Sequence, residues 1–214
     1  MSATKSSAFA ATVLAVPVLA EIAWPSRLDT AGALVLFAAS QLVGWALLAW
    51  LVLGAPPAAR AASPRGRRAV LVGCALQVSF ATAYGVTAFD GEPLEASFVL
   101  FMLGFITLFV GGLLWASSLR RRTGGRVAAA GLLAVSVLGA LAILVGGDPF
   151  HDIFLVSSYV AWIIVGHGFD ALRSSLTVLD GNTPALTSSW NEDGTTDAAG
   201  ARAAQGTDQA TPRS

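Results

Sequence analysis

Histidine, cysteine and lysine are nearly missing from this chain of 214 residues: two, one and one respectively. Each scarcity removes a class of chemistry. With Cys74 alone there is no disulfide framework and no cysteine-based metal site. His151 and His167 bracket one apolar run and would stand about 24 Å apart along a helix, too far to share a haem or a metal ion. No Gly-rich phosphate loop, His-Glu-x-x-His pair or Gly-x-Ser-x-Gly elbow occurs either. The sequence therefore leans away from an enzyme and calls for no cofactor and no metal. Charge is scarce too, at 12% of residues, against about 25% in an average soluble domain.

What fills the chain instead is apolar: 55% hydrophobic residues and a mean hydropathy of +0.67. The apolar residues fall into six runs, about 8–24, 31–53, 68–89, 95–118, 126–146 and 151–172. Each is long enough for the roughly 20 helical residues that cross a hydrocarbon core. The expected fold is all-α: a polytopic bundle of six transmembrane helices over residues 1–173, joined by short loops, whose first partner is the lipid bilayer. Residues 174–214 change character to Ser, Thr, Gly, Asp and Ala, which cannot bury enough apolar surface to fold, so a disordered cytoplasmic tail is expected.

The few charges carry an orientation. Lys5, Arg60, Arg65, Arg67, Arg68, Arg120, Arg121, Arg122, Arg126 and Arg173 fall before the first run, after every second run, and at the end of the sixth. The alternate loops hold Asp29, Asp90, Glu92, Glu95, Asp148 and Asp152 against Arg27 alone. Short loops rich in Lys and Arg remain cytoplasmic, so both termini are expected inside a bacterial-type inner membrane. The basic excess follows from topology and does not point to nucleic acid. A second reading of the first run, a leader cleaved after Ala20, is disfavoured by the single Lys5, by Pro17 and by apolar residues continuing to Trp24.

Aromatic positions support the boundaries. Trp24, Trp50 and Trp115 stand at run ends as interfacial anchors, whereas Trp45 and Trp162 lie deeper and read as packing residues. Close helix approach is suggested by Ser40/Gly44, Ala81/Gly85 and Ser136/Ala140, each a small-xxx-small pair.

Most acids between runs are explained as helix caps, because helix N-termini favour negative charge. Glu21 and Asp90 are left over, and they form a candidate outer vestibule for a transported solute. Glu21 lies about 6 Å from the end of its span, close enough to reach the interface or Arg27. Gln41 and Gln77, near the middle of consecutive spans, are candidates to line a path. The plainer reading is an interhelical hydrogen bond between them, direct or through Ser40, Ser79 or Thr82. His167 and Asp170, with Arg173, step along one helix face and form a candidate pH-sensing group, or simply a polar ladder at the headgroups.

These features leave a first reading and two alternatives. The first is an accessory or structural component of a membrane complex, packed against a larger membrane-protein partner that its tail recruits. The alternatives are a small solute or ion transporter, a homodimer in one form, using Glu21, Asp90, Gln41 and Gln77, and a lipid-facing enzyme or sensor at the inner surface.

Overall fold

A computed structural model describes residues 2–23, 31–90, 95–145 and 150–181, without the side chains of residues 21, 31, 87–90, 95–96 and 177–181. All of the described secondary structure is helical, as the composition requires. The helices are α1 (Ala3–Ala23), α2 (Ala31–Leu53), α3 (Pro57–Ala62), α4 (Pro64–Asp90), α5 (Glu95–Leu119), α6 (Arg126–Val145) and α7 (Phe150–Gly181). All but the short α3 are long and apolar enough to cross a membrane.

The boundaries of α2, α5 and α6 follow the apolar runs closely. Elsewhere the helices outrun them, because charge ends an apolar run without ending a helix. Helix α4 starts at Pro64, where a proline costs nothing in the first turn. Its start is capped: Ser63 Oγ accepts the Gly66 N–H at 3.1 Å, and the Ser63 carbonyl accepts that of Arg67 at 3.0 Å. Helix α7 continues past the expected end at 172 to Gly181. The tail expected from residue 174 is therefore helical through Gly181, and the rest of it lies outside the described residues. The first Arg-bearing loop is partly helical, since Pro56-Pro57-Ala58-Ala59 starts α3 with proline at its N-terminus.

Each spanning helix packs on its neighbours in sequence, and α1 closes the circle against α7. The arrangement is a six-membered ring running up and down. One end, here the basic end, gathers the start of α1, the end of α2, all of α3, the starts of α4 and α6, and the ends of α5 and α7. The axis is filled by aromatic rings that reach across the circle. Trp45 of α2 meets Phe105 of α5 and Tyr159 of α7, each with centroids 5.9 Å apart and edge to face. Nearer the basic end, Trp115 of α5 meets Phe169 of α7 at 5.6 Å. Such pairs add about 0.5–1.5 kcal/mol beyond their buried area.

Trp45 and Trp162 are buried, as packing residues should be, and Trp50 is 73% exposed on the outer surface, as an interfacial anchor should be. Trp115 corrects the sequence reading. It is completely buried, and its indole N–H donates to the Ala59 carbonyl at 2.9 Å, pinning α3 beneath the bundle. The run end was a sound guide to depth along the helix but not to the face the ring takes.

Without a hydrophobic force between helices in lipid, close backbone approach holds such a bundle. Two glycines from each of α4 and α5 make one close seam, as Gly131 and Gly168 do where α6 meets α7. A Cβ on Gly66 would stand 2.7 Å from the Trp115 amide nitrogen, and one on Gly111 would stand 2.7 Å from that of Val70. Gly73 meets Leu108 and the Gly104 carbonyl, while Gly104 meets the Gln77 side chain. The small-xxx-small pairs also mark crossings: Gly44 abuts Leu14, Gly85 abuts Ala38, and Ser136 lies against Gly112.

Candidate functional site

Polar groups concentrate in two places, a buried pair of glutamines in mid-bundle and a set of charged side chains at the basic end. Gln41 on α2 is 2% exposed. Its Oε1 accepts the Trp45 indole N–H at 3.1 Å and the Tyr159 hydroxyl at 3.3 Å, and its Nε2 donates to the Leu14 carbonyl at 3.4 Å. One amide thus ties α2 to both α1 and α7. Its bond to α1 falls on the turn before Pro17, which lacks an N–H and so weakens the helix there.

Gln77 on α4 is fully buried and faces the other way. Its Nε2 donates to the Phe101 carbonyl of α5 at 3.0 Å, and its Oε1 has no partner among the described residues. The expected bond between the two glutamines is therefore replaced by separate bonds to different helices. Ser40, Ser79 and Thr82 do not bridge them either. Each hydroxyl donates to a carbonyl of its own helix, on Phe37, Ala75 and Val78. Antiparallel adjacency of α2 and α4 was read correctly, but not the rotation of each helix, which turns the two amides to opposite sides.

The Glu21 and Asp90 side chains lie outside the described residues. Their backbones end α1 and α4 at the end opposite the arginines, with α2 between those helices in the ring. Near that end His151 Nδ1 lies 2.7 Å from the Ala142 carbonyl, linking α7 to α6.

At the basic end Asp170 and Arg173 of α7 form a clasp. Asp170 Oδ1 accepts the Ala3 N–H at 2.9 Å, and Oδ2 accepts the Thr4 N–H at 2.9 Å and the Thr4 hydroxyl at 2.8 Å. A carboxylate on one helix thus caps the orphan donors of another, where the helix dipole also favours negative charge. Arg173 bonds Asp170 at 3.3 Å and donates to the Gly54 carbonyl at 2.7 Å. Arg67 donates to the neighbouring carbonyls of Val52 and Leu53, at 3.2 and 3.5 Å. Two guanidiniums therefore close the C-terminal end of α2, where a positive charge is favoured. His167 is exposed and stands outside the clasp. Of His167, Asp170 and Arg173, the structure brings the last two together.

Neither Thr4 nor the carbonyls at the end of α2 carried a sequence signal for this arrangement. Comparison with protein-family models, curated proteins and solved structures gave no match to this chain.

Proposed function

We propose that this chain is a structural or accessory component of a membrane complex, with its basic end and both termini on the cytoplasmic side of the inner membrane. The orientation rests on the bias of Lys and Arg to alternate loops. The role rests on one observation above all: the Gln41 side-chain oxygen already accepts from Trp45 of its own helix and Tyr159 of α7, and its nitrogen donates to Leu14 of α1. A polar side chain poised for a passing solute would keep its oxygen open, and that of Gln41 is taken up in holding helices together.

The test is the mass of the full-length protein released from its native membrane in mild detergent. A defined species containing a second protein is expected, and it should be lost when the chain is ended after Gly181, since the tail is the recruiting segment. A monomer or homodimer as the sole species would defeat the reading.

A second reading, a small transporter entered past Glu21 and Asp90, draws on a different observation. Gln77 Oε1 is buried without a partner among the described residues. Leaving a polar atom so costs about 1–3 kcal/mol, which a solute or water on a path would relieve. On this reading Glu21→Gln and Gln77→Leu slow solute flux through reconstituted vesicles while the fold is kept. Full flux in both variants would remove it. The sensor reading, through His167 and Asp170, asks the Asp170 carboxylate to titrate while it also caps α1.

A further inference from the structure

Besides Arg173, seven arginines at the basic end are exposed: Arg60, Arg65, Arg68, Arg120, Arg121, Arg122 and Arg126. Among the described residues the only carboxylate at that end with a described side chain is Asp170, and its oxygens are taken by Ala3, Thr4 and Arg173. Arg67 and Arg173 already serve α2, so these seven are what remains.

The backbone holds three of them together against their own repulsion. Arg120, Arg121 and Arg122 occupy one tight turn, closed by the Arg122 N–H on the Leu119 carbonyl at 2.9 Å and the Gly125 N–H on the Arg122 carbonyl at 3.0 Å. Gly124 makes that turn possible with a φ of 75°, a conformation that side chains disfavour. Arg65 and Arg68 flank Gly66, which packs the start of α4 against the Trp115 backbone of α5, about 7.5 Å along that helix from the turn. Arg126 opens α6 and Arg65 lies in the first turn of α4, and neither helix has an acid in its first turn. Cations there face the positive end of the helix dipole, which is unfavourable until an anion arrives.

We infer that Arg60 of α3, Arg65 and Arg68 at the start of α4, Arg120 to Arg122 after α5 and Arg126 at the start of α6 form a docking surface for the phosphate groups of anionic phospholipids. Charge complementarity selects the partner. The surface lies where six spanning helices end, at headgroup depth, and guanidinium forks match phosphate oxygens two bonds at a time. A lipid of net negative charge such as phosphatidylglycerol is favoured over zwitterionic phosphatidylcholine. The inference stands independently of any partner protein, and needs only that the bundle be embedded.

The experiment uses full-length protein in vesicles of mixed phosphatidylcholine and phosphatidylglycerol, with spin-labelled forms of each lipid to read their relative association. The wild type should prefer the anionic lipid by about threefold or more, with the preference fading as salt screens it. The triple variants Arg120→Gln/Arg121→Gln/Arg122→Gln and Arg60→Gln/Arg65→Gln/Arg68→Gln should each lose most of that preference, whereas Arg→Lys at Arg120, Arg121 and Arg122 should keep part of it. Equal association of both lipids with the wild type overturns the inference. So does a preference that survives both glutamine variants, or one that high salt leaves unchanged should those variants not fold. If the arginines answer instead to the chain's own acids, the wild type will show no preference, and neutralising Glu192, Asp193 and Asp197 will create one.

Discussion

One oxygen of the Asp170 carboxylate accepts both the backbone N–H and the side-chain hydroxyl of Thr4, at 2.9 and 2.8 Å, across 166 residues of sequence. The bond pair joins the last spanning helix to the first turn of the first one. It does so with the group that a helix N-terminus favours most, an anion at its exposed donors.

Removing that cap should therefore loosen the bundle at its seam. Asp170→Ala should lower unfolding stability by about 1 kcal/mol, and by no more than about 2. Asp170→Asn keeps one acceptor and should lose less. Denaturant titration in bicelles, followed by helical circular dichroism, reads both. Identical midpoints for wild type and Asp170→Ala would show that the clasp contributes nothing.

The two glutamines should behave as separate sites. Gln41→Ala and Tyr159→Phe share a hydrogen bond of 3.3 Å, so a double-mutant cycle should return a coupling of about 0.6 kcal/mol, with about 1.7 as a ceiling. Gln41→Ala and Gln77→Ala share no partner, and their effects should add to within about 0.5 kcal/mol. A large coupling in the second cycle would mean that the amides meet after all.

Glycines of one chemistry should give effects of opposite sign according to what a methyl group would meet. Gly111→Ala places a Cβ 2.7 Å from the Val70 backbone and should cost about 1–3 kcal/mol by forcing α4 and α5 apart. Gly32→Ala on α2 meets nothing within 4 Å and should be neutral or stabilise by up to about 1 kcal/mol through helix propensity. The same denaturant series compares them directly.

Much of the fold was legible because hydrocarbon imposes a length and an apolar composition that any reader can count. That is why α2, α5 and α6 end where their runs end. Rotation of each helix about its own axis leaves no such mark. Gln41 and Gln77 sit on adjacent helices as expected, yet their bonds go to opposite sides, and Trp115 sits at a run end yet turns inward. The glycine seam between α4 and α5 leaves no mark for a related reason. Gly66 and Gly73 on α4, and Gly104 and Gly111 on α5, recur at two helical turns, whereas the sequence reading looked for small residues one turn apart. The Asp170–Thr4 pair could not be foreseen, since nothing local says that the first helix and the last will be neighbours. Of the proposed outer acids, only their positions at the ends of α1 and α4 bear on the question, because their side chains lie outside the described residues.

Ring closure has a consequence in time. Among these helices α1 leaves the ribosome first, and its cap on α7 arrives 166 residues after Thr4, which at ordinary rates of synthesis is roughly 10–30 s. Throughout that interval α1 has only α2 as a lasting neighbour, the axis is open to lipid, and Trp45 waits for Tyr159. The growing chain is an arc, and it becomes a ring with the insertion of its final helix. A ribosome stalled before Asp170 would leave a protein with five of its spans in place and no closed interior, a form that quality control in the membrane could recognise by its unsealed edge.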